Sequence, residues 1–196
     1  MMTQGFSMSS RRAIVGFAAV GVWLVASAGA SMAETATAYM QRVANELTAA
    51  SRSGSTAQIA AVIRNHADVP WLGLYSLGSY SGTLPRSDRP TYFNGMVNFI
   101  ARYAAKEAPK YPIGSAVIAG QAGETGGGIE IDSRVTLKGG ESYDVRWLVV
   151  RRGSGFKVRD AQVVGFWMSP FLKNLFENYI SENGGNPKAL VVALNR

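Results

Sequence analysis

Pro112 marks the strongest constraint on what this chain can fold into, because the hydrophobic repeat changes there from that of a helix to that of a strand. Before it, apolar side chains recur every three or four residues. After it they alternate, the pattern of a half-buried sheet. In YDVRWLVVRRGSGFKVRD, Tyr143, Val145, Trp147 and Val149 fall on one face, and Asp144, Arg146, Leu148 and Val150 on the other. The turn GSG sends the chain back, with Phe156, Val158 and Asp160 alternating with Lys157 and Arg159. One face is bulky and apolar, the other mostly basic.

Two strands precede this hairpin. GSAVIAGQA is a small-residue strand, and Ile129, Ile131, Ser133, Val135 and Leu137 form one face of the next. Gly139-Gly140 is a hairpin turn, and the fourth strand is expected to run through Ala161 to about Met168. Four consecutive strands joined by Gly-rich turns make an antiparallel meander, which can bury one face and wet the other. On the helical side, ETATAYMQRVANELTAA carries Tyr39, Met40, Val43, Ala44 and Leu47 on one stripe. Ser55 with Gln58 three residues on is a capping box. WLGLYSLGSY is a short apolar helix ending at Gly78. Ser87 or Asp88 caps the longest helix, which has Pro90 in its first turn. Ser169 and Pro170 open another helix, Gly184-Gly185 stops it, and NPKALVVALN closes the chain. Helices, a four-strand meander and further helices, without repeats, define an α+β protein.

The beginning of the chain reads differently. Arg11 and Arg12 precede the apolar run AIVGFAAVGVWLVASA, and Ser31 to Ala33 has the small-x-small form of a cleavage site. This is the layout of a secretory signal peptide, and the run is shorter than the roughly 18 apolar residues of a transmembrane helix. Residues 1–33 are therefore expected to be removed, with Ala30 as an alternative cut, leaving residues 34–196 as a single domain. Ser10-Arg11-Arg12 also forms part of a twin-arginine signal. The formal net charge is +7, two of its cations being Arg11 and Arg12 of the leader. No dense Lys/Arg block stands out, so no nucleic-acid partner is expected. Such a balance suits acidic partners or anionic membrane surfaces. There is no cysteine, which excludes disulfides, thiol catalysis and cysteine metal sites.

Catalytic patterns are sparse. The single histidine, His66, lies beside Asp68, and such a pair can act as an acid–base dyad or simply sit at a helix end. No GxSxG motif is present, and one histidine does not build a usual zinc site. Gly126-Gly127-Gly128 is followed by a strand, not the helix that a phosphate loop requires. Asp160, among apolar residues, suits either a catalytic acid or a structural ion pair with a neighbouring Arg.

The remaining signal is an excess of large apolar side chains. Trp71, Leu74 and Tyr75 share a short helix, and Phe93, Val97, Ile100 and Tyr103 line the long one. Val145, Trp147 and Val149 face them from the sheet. Phe166, Trp167, Phe171, Leu172 and Phe176 lie at and beyond a strand-to-helix corner. Ordinary core packing accounts for such stripes, yet their abundance and the crowded corner FWMSPFL also suit the lining of a pocket.

The segment FKVRDAQVVGFWMSPFLKNLFENYISENGGNPKALVVALN resembles the C-terminal signature of the MlaC, or toluene-tolerance, family of periplasmic phospholipid-binding proteins. That signature runs W-K-V-x-D-V-x-V-x-G-V-S-L, then N-Y-R-x-x-F and a closing leucine-rich helix. Lys157, Val158, Asp160, Val164, Gly165, Phe176 and Leu190 fall into place. The helix SDRPTYFNGMVNFIARYAAKEAPKY and Leu77-Gly78 resemble earlier family segments. Phe156 stands where the family has Trp, Trp167 where it has Ser, and Phe171-Leu172-Lys173 replaces Asn-Tyr-Arg. These departures bear on the ligand more than on the fold, and leave room for a hopanoid or a single-chain lipid.

The resemblance implies a nuclear-transport-factor-like sheet closed by helices over an apolar cavity, with a bound phospholipid as ligand and no cofactor. It implies a periplasmic monomer that carries lipid between an outer-membrane lipoprotein complex and the substrate-binding component of an inner-membrane ABC transporter, maintaining outer-membrane asymmetry. Val145, Trp147 and Val149 then line the tail chamber, and Arg146, Arg151, Arg152, Lys157 and Arg159 lie outside. Two other classes stay open: an enzyme using Asp160 or His66 on an apolar substrate, and an adaptor with a solid core that binds protein only.

Overall fold

The computed structural model describes residues 34–196; the leader and its cleavage site lie outside the described residues. Thr35 accepts the N–H of Ala38 and opens helix α1, Ala36–Ser53, which Gly54 ends in the left-handed conformation. Ser55 caps α2, Thr56–His66, through the N–H of Gln58, as the capping pattern predicts. Helix α3, Val69–Ser76, gives way to a 3-10 turn at Gly78–Gly82. A second such turn, Arg86–Asp88, leads into α4, Arg89–Glu107. Asp88 occupies the expected cap position, but its side chain makes no capping bond.

The sheet follows as β1, Ile113–Thr125; β2, Gly128–Leu137; β3, Ser142–Arg152; and β4, Gly155–Val163. A fifth strand, β5, Phe166–Trp167, pairs back on β4. The order β1-β2-β3-β4-β5 is a continuous antiparallel meander. The expectation of four strands with an unbroken last one is therefore corrected: Val164 and Gly165 both have positive φ and turn the chain at Val163. Helix α5, Met168–Glu182, and α6, Pro187–Leu194, complete the fold.

Alternation on β3 holds as read, but not on β4. Val149 pairs with Val158 while Leu148 pairs with Asp160, so Arg159 is the extra residue of a bulge. A bulge re-aims the side chains around it. Asp160 consequently does not continue the face of Phe156 and Val158.

Three solid clusters hold the layers. Tyr39, Met40 and Val43 of α1 pack on Ile129, Ile131, Val149 and Phe156 of the sheet. Ala50, Ile59, Ala60, Val97 and Ala101 join α1, α2 and α4. The largest cluster, with Tyr92, Met96, Leu172, Phe176, Ile180 and Leu190, joins the helices to one another. Each buried large side chain stabilises by roughly 1.5–3 kcal/mol.

Candidate functional site

Two apolar chambers lie where the clusters leave the sheet face uncovered. The first has a volume of about 560 Å³. Ser133, Val135 and Leu137 of β2 and Val145 and Trp147 of β3 line it from the sheet side. Ala44, Leu47 and Thr48 of α1 and Ala104 and Ala108 line it from the helices, with Glu107 beside them, and Tyr111, Ala116, Val163 and Val164 contribute further wall. The second, about 500 Å³, is lined by Phe99, Ile100 and Tyr103 of α4 and by Met168, Phe171, Leu172 and Leu175 of α5. Trp147, Val158 and Ala161 close it from the sheet, Ile63 and Leu72 from the remaining helices. Protein interiors are close-packed, and both volumes fall in the range of small-ligand sites. Alanines stand where a solid core would place Leu or Phe, which is why the first chamber is hollow.

The polar groups at these walls are engaged. Ser133 is buried; its hydroxyl accepts the indole N–H of Trp147 at 2.9 Å and donates to the carbonyl of Val145 at 3.1 Å. Asp160 accepts the N–H groups of Ala161 and Ser169 at 2.8 and 3.0 Å and the Ser169 hydroxyl. Its partners are thus Ser169 and Ala161, not the arginine expected. Ser169 lies within α5, and the cap comes instead from β4. The Arg159 guanidinium sits 4.9 Å above the Trp71 ring and 3.3 Å from Asp68, turned into the second chamber's wall by the bulge.

His66 does not pair with Asp68. Its ring contacts Glu46 at 2.8 Å and the Tyr39 hydroxyl at 3.3 Å, while Asp68 is held by Arg152 at 2.7 Å and by Arg159. Burial pushes the Tyr39 hydroxyl up to about 12, so it stays protonated. Among the described residues no group of three or more His, Cys, Asp or Glu is placed to hold a metal.

The expected basic outer face is largely neutralised by its own neighbours. Arg146 binds Asp132 at 2.7 Å and Glu130 at 3.4 Å, and Arg134 binds Asp144 at 2.8 Å. The Arg146 hydrogen bond holds the Asp132 carboxyl below its ordinary range. Lys157 donates to the Asn65 carbonyl and Arg151 lies over the Phe156 ring. A trough of about 780 Å³ runs over these pairs, but charges that satisfy one another leave little to bind.

The structure brings Val145 and Trp147 to the first chamber, and Ile100, Tyr103, Trp147, Phe171 and Leu172 to the second. Val97, Val149 and Phe176 lie instead in solid packing, and Phe93 wedges against Gly73. Trp71 stacks on Tyr75 behind the second chamber, and Leu74 is half-buried on the same helix. Phe166 is 73% exposed and Trp167 half-buried at the corner. Sequence reasoning missed the small residues Ala44, Ala104, Ala108 and Ala116. Ala44 is buried and the other three are half-buried, and their only signal was alanine on the inward side of a helix or strand.

These features define a class: α+β proteins whose antiparallel sheet and helices leave apolar space between them. The family model for the MlaC protein matches residues 32–196, and the chain belongs to that family. Its fold is similar to the phospholipid-binding protein from Ralstonia solanacearum, solved in complex with a phospholipid. The TM-score is 0.68 and the identity 20%, covering 83% of this chain and 96% of that one. No curated protein matches the sequence.

Proposed function

We propose that this protein binds phospholipid and ferries it through the periplasm without chemical change. The observation that carries the reading is the pair of apolar chambers, whose combined space is suited to hydrocarbon. Transfer of acyl chain into water costs about 0.8 kcal/mol per CH₂, so a two-chain lipid leaves a membrane only if an equally apolar interior receives it. Membership of the MlaC family and the phospholipid bound by the similar Ralstonia protein support the same ligand class. A periplasmic location, export by the N-terminal leader, and exchange with an outer-membrane lipoprotein complex and an inner-membrane ABC transporter belong to this proposal.

A non-catalytic role fits the state of the ionisable groups. Asp160 lines the second chamber, but its carboxylate is committed to the start of α5 through three accepted hydrogen bonds, and His66 is committed to Glu46 and Tyr39. Transfer of a fluorescent phospholipid from donor to acceptor vesicles tests the reading. Catalytic amounts of the protein are expected to speed transfer in proportion to its concentration while leaving the lipid chemically intact. Hydrolysed or isomerised product, or no transfer at all, would count against it.

A further inference from the structure

We infer that the two chambers are separate subsites for one hydrocarbon chain each, and that Trp147 is the residue that divides them. The inference rests on the phospholipid-carrier reading above and narrows it to a ligand with two chains.

Among the described residues, Trp147 alone is common to the two walls. On either side of it the lining changes hands within a residue or two. On α4, Ile100 and Tyr103 face the second chamber while Ala104 faces the first; on β4, Ala161 faces the second and Val163 the first. The partition is held firmly. Its indole N–H is bound at 2.9 Å by a buried hydroxyl that is itself tied to the backbone. Rotating the ring aside would leave that half-buried N–H without its partner, which is unfavourable. Opposite it on β4 stands Ala161, small enough to leave the ring room.

The chambers are also matched, at about 560 and 500 Å³, as two chains of similar length require. Their partly exposed wall residues lie close in sequence. Tyr103, 61% exposed, adjoins Ala104, and Val164, 64% exposed, precedes the corner that leads to Phe171. In this arrangement a single glycerol backbone lies on the side of Tyr103 and Val164 and sends one chain to each side of the indole.

Native mass spectrometry with two defined lipids decides the matter: a dipalmitoyl phosphatidylcholine and its single-chain lysophosphatidylcholine. The unmodified protein is expected to take one copy of the first or two of the second. Ala116→Trp fills the first chamber and Ile100→Trp the second. Each is expected to lower binding of the two-chain lipid by about a hundredfold or more, since an expelled chain stays in water, while one lysolipid is still bound. Full binding of the two-chain lipid by either variant overturns the division, because both chains would then share one chamber. So does an unmodified protein that binds the two-chain lipid but only one lysolipid, a result that does not depend on either variant folding. An unmodified protein that binds neither lipid overturns the carrier reading itself.

Discussion

The carboxylate of Asp160 on β4 accepts the backbone N–H of Ser169 on α5 at 3.0 Å, and the Ser169 hydroxyl as well. A negative group at a helix N-terminus satisfies an otherwise orphaned donor and complements the helix dipole. Here that group comes from the sheet, so the same bonds fasten the helix bearing Met168, Phe171 and Leu175 over the second chamber. Asp160→Asn replaces an acceptor oxygen by a donor and is expected to cost about 1–3 kcal/mol. Urea denaturation reads the loss as a lowered midpoint, and lipid occupancy should fall with it.

The bond between Trp147 and Ser133 makes a separate prediction. Ser133→Ala leaves the indole N–H without its partner in an apolar wall, at a cost of about 1–2 kcal/mol. Ser133→Thr keeps the hydroxyl and should retain most of the stability. Thermal melting of the two variants side by side checks the difference; equal losses would mean that volume, not the hydrogen bond, matters there.

Glu177 links α5 to the Gly78–Gly82 turn by accepting the Ser79 N–H at 2.8 Å and its hydroxyl at 3.1 Å. The Ser79 N–H bond, with Lys173 nearby, holds its carboxyl below the ordinary range. A group lowered in the folded state stabilises above its unfolded value, about 4.3 for glutamate, and that stability fades as pH falls through the lower folded value. Glu177→Gln should cost about 1 kcal/mol at neutral pH and flatten the acid limb of a stability profile. An acid limb identical to that of the unmodified protein would contradict this.

Gly95→Ala inverts a general rule. Alanine normally stabilises a helix interior relative to glycine by about 1 kcal/mol. At Gly95 the new Cβ would lie 2.8 Å from the Leu194 Cβ and 2.5 Å from the Asn195 amide nitrogen, so α6 must shift. Overpacking of this kind costs about 1–3 kcal/mol, and the variant is expected to melt lower despite its better propensity. A higher melting temperature would show that α6 yields freely.

Much of the architecture was legible because it depends on local chemistry. The change of period at Pro112 separates helices from sheet, Ser55 caps where it should, and the Gly-rich turns produce the meander. What escaped is set by partners distant in sequence. Valine rarely adopts positive φ, so nothing before Val164 signalled that the last strand would break and fold back as β5. The bulge at Arg159 depends on how β3 and β4 align. The cations of β3 looked unpaired because Asp132 and Glu130 meet Arg146 only through the register of β2. The chambers were half legible. Periodicity points Val145 and Trp147 inward, but it does not say whether the opposing helix touches them. That outcome depends on Ala44, Ala104 and Ala108 being too small to reach.

The central claim is that this interior shelters hydrocarbon, and native mass spectrometry of protein purified from cells without detergent tests it most directly. A mass increment of one two-chain phospholipid per chain, recovered intact on extraction, is the predicted result. A protein that emerges empty, and stays empty after incubation with phospholipid vesicles, would contradict the account.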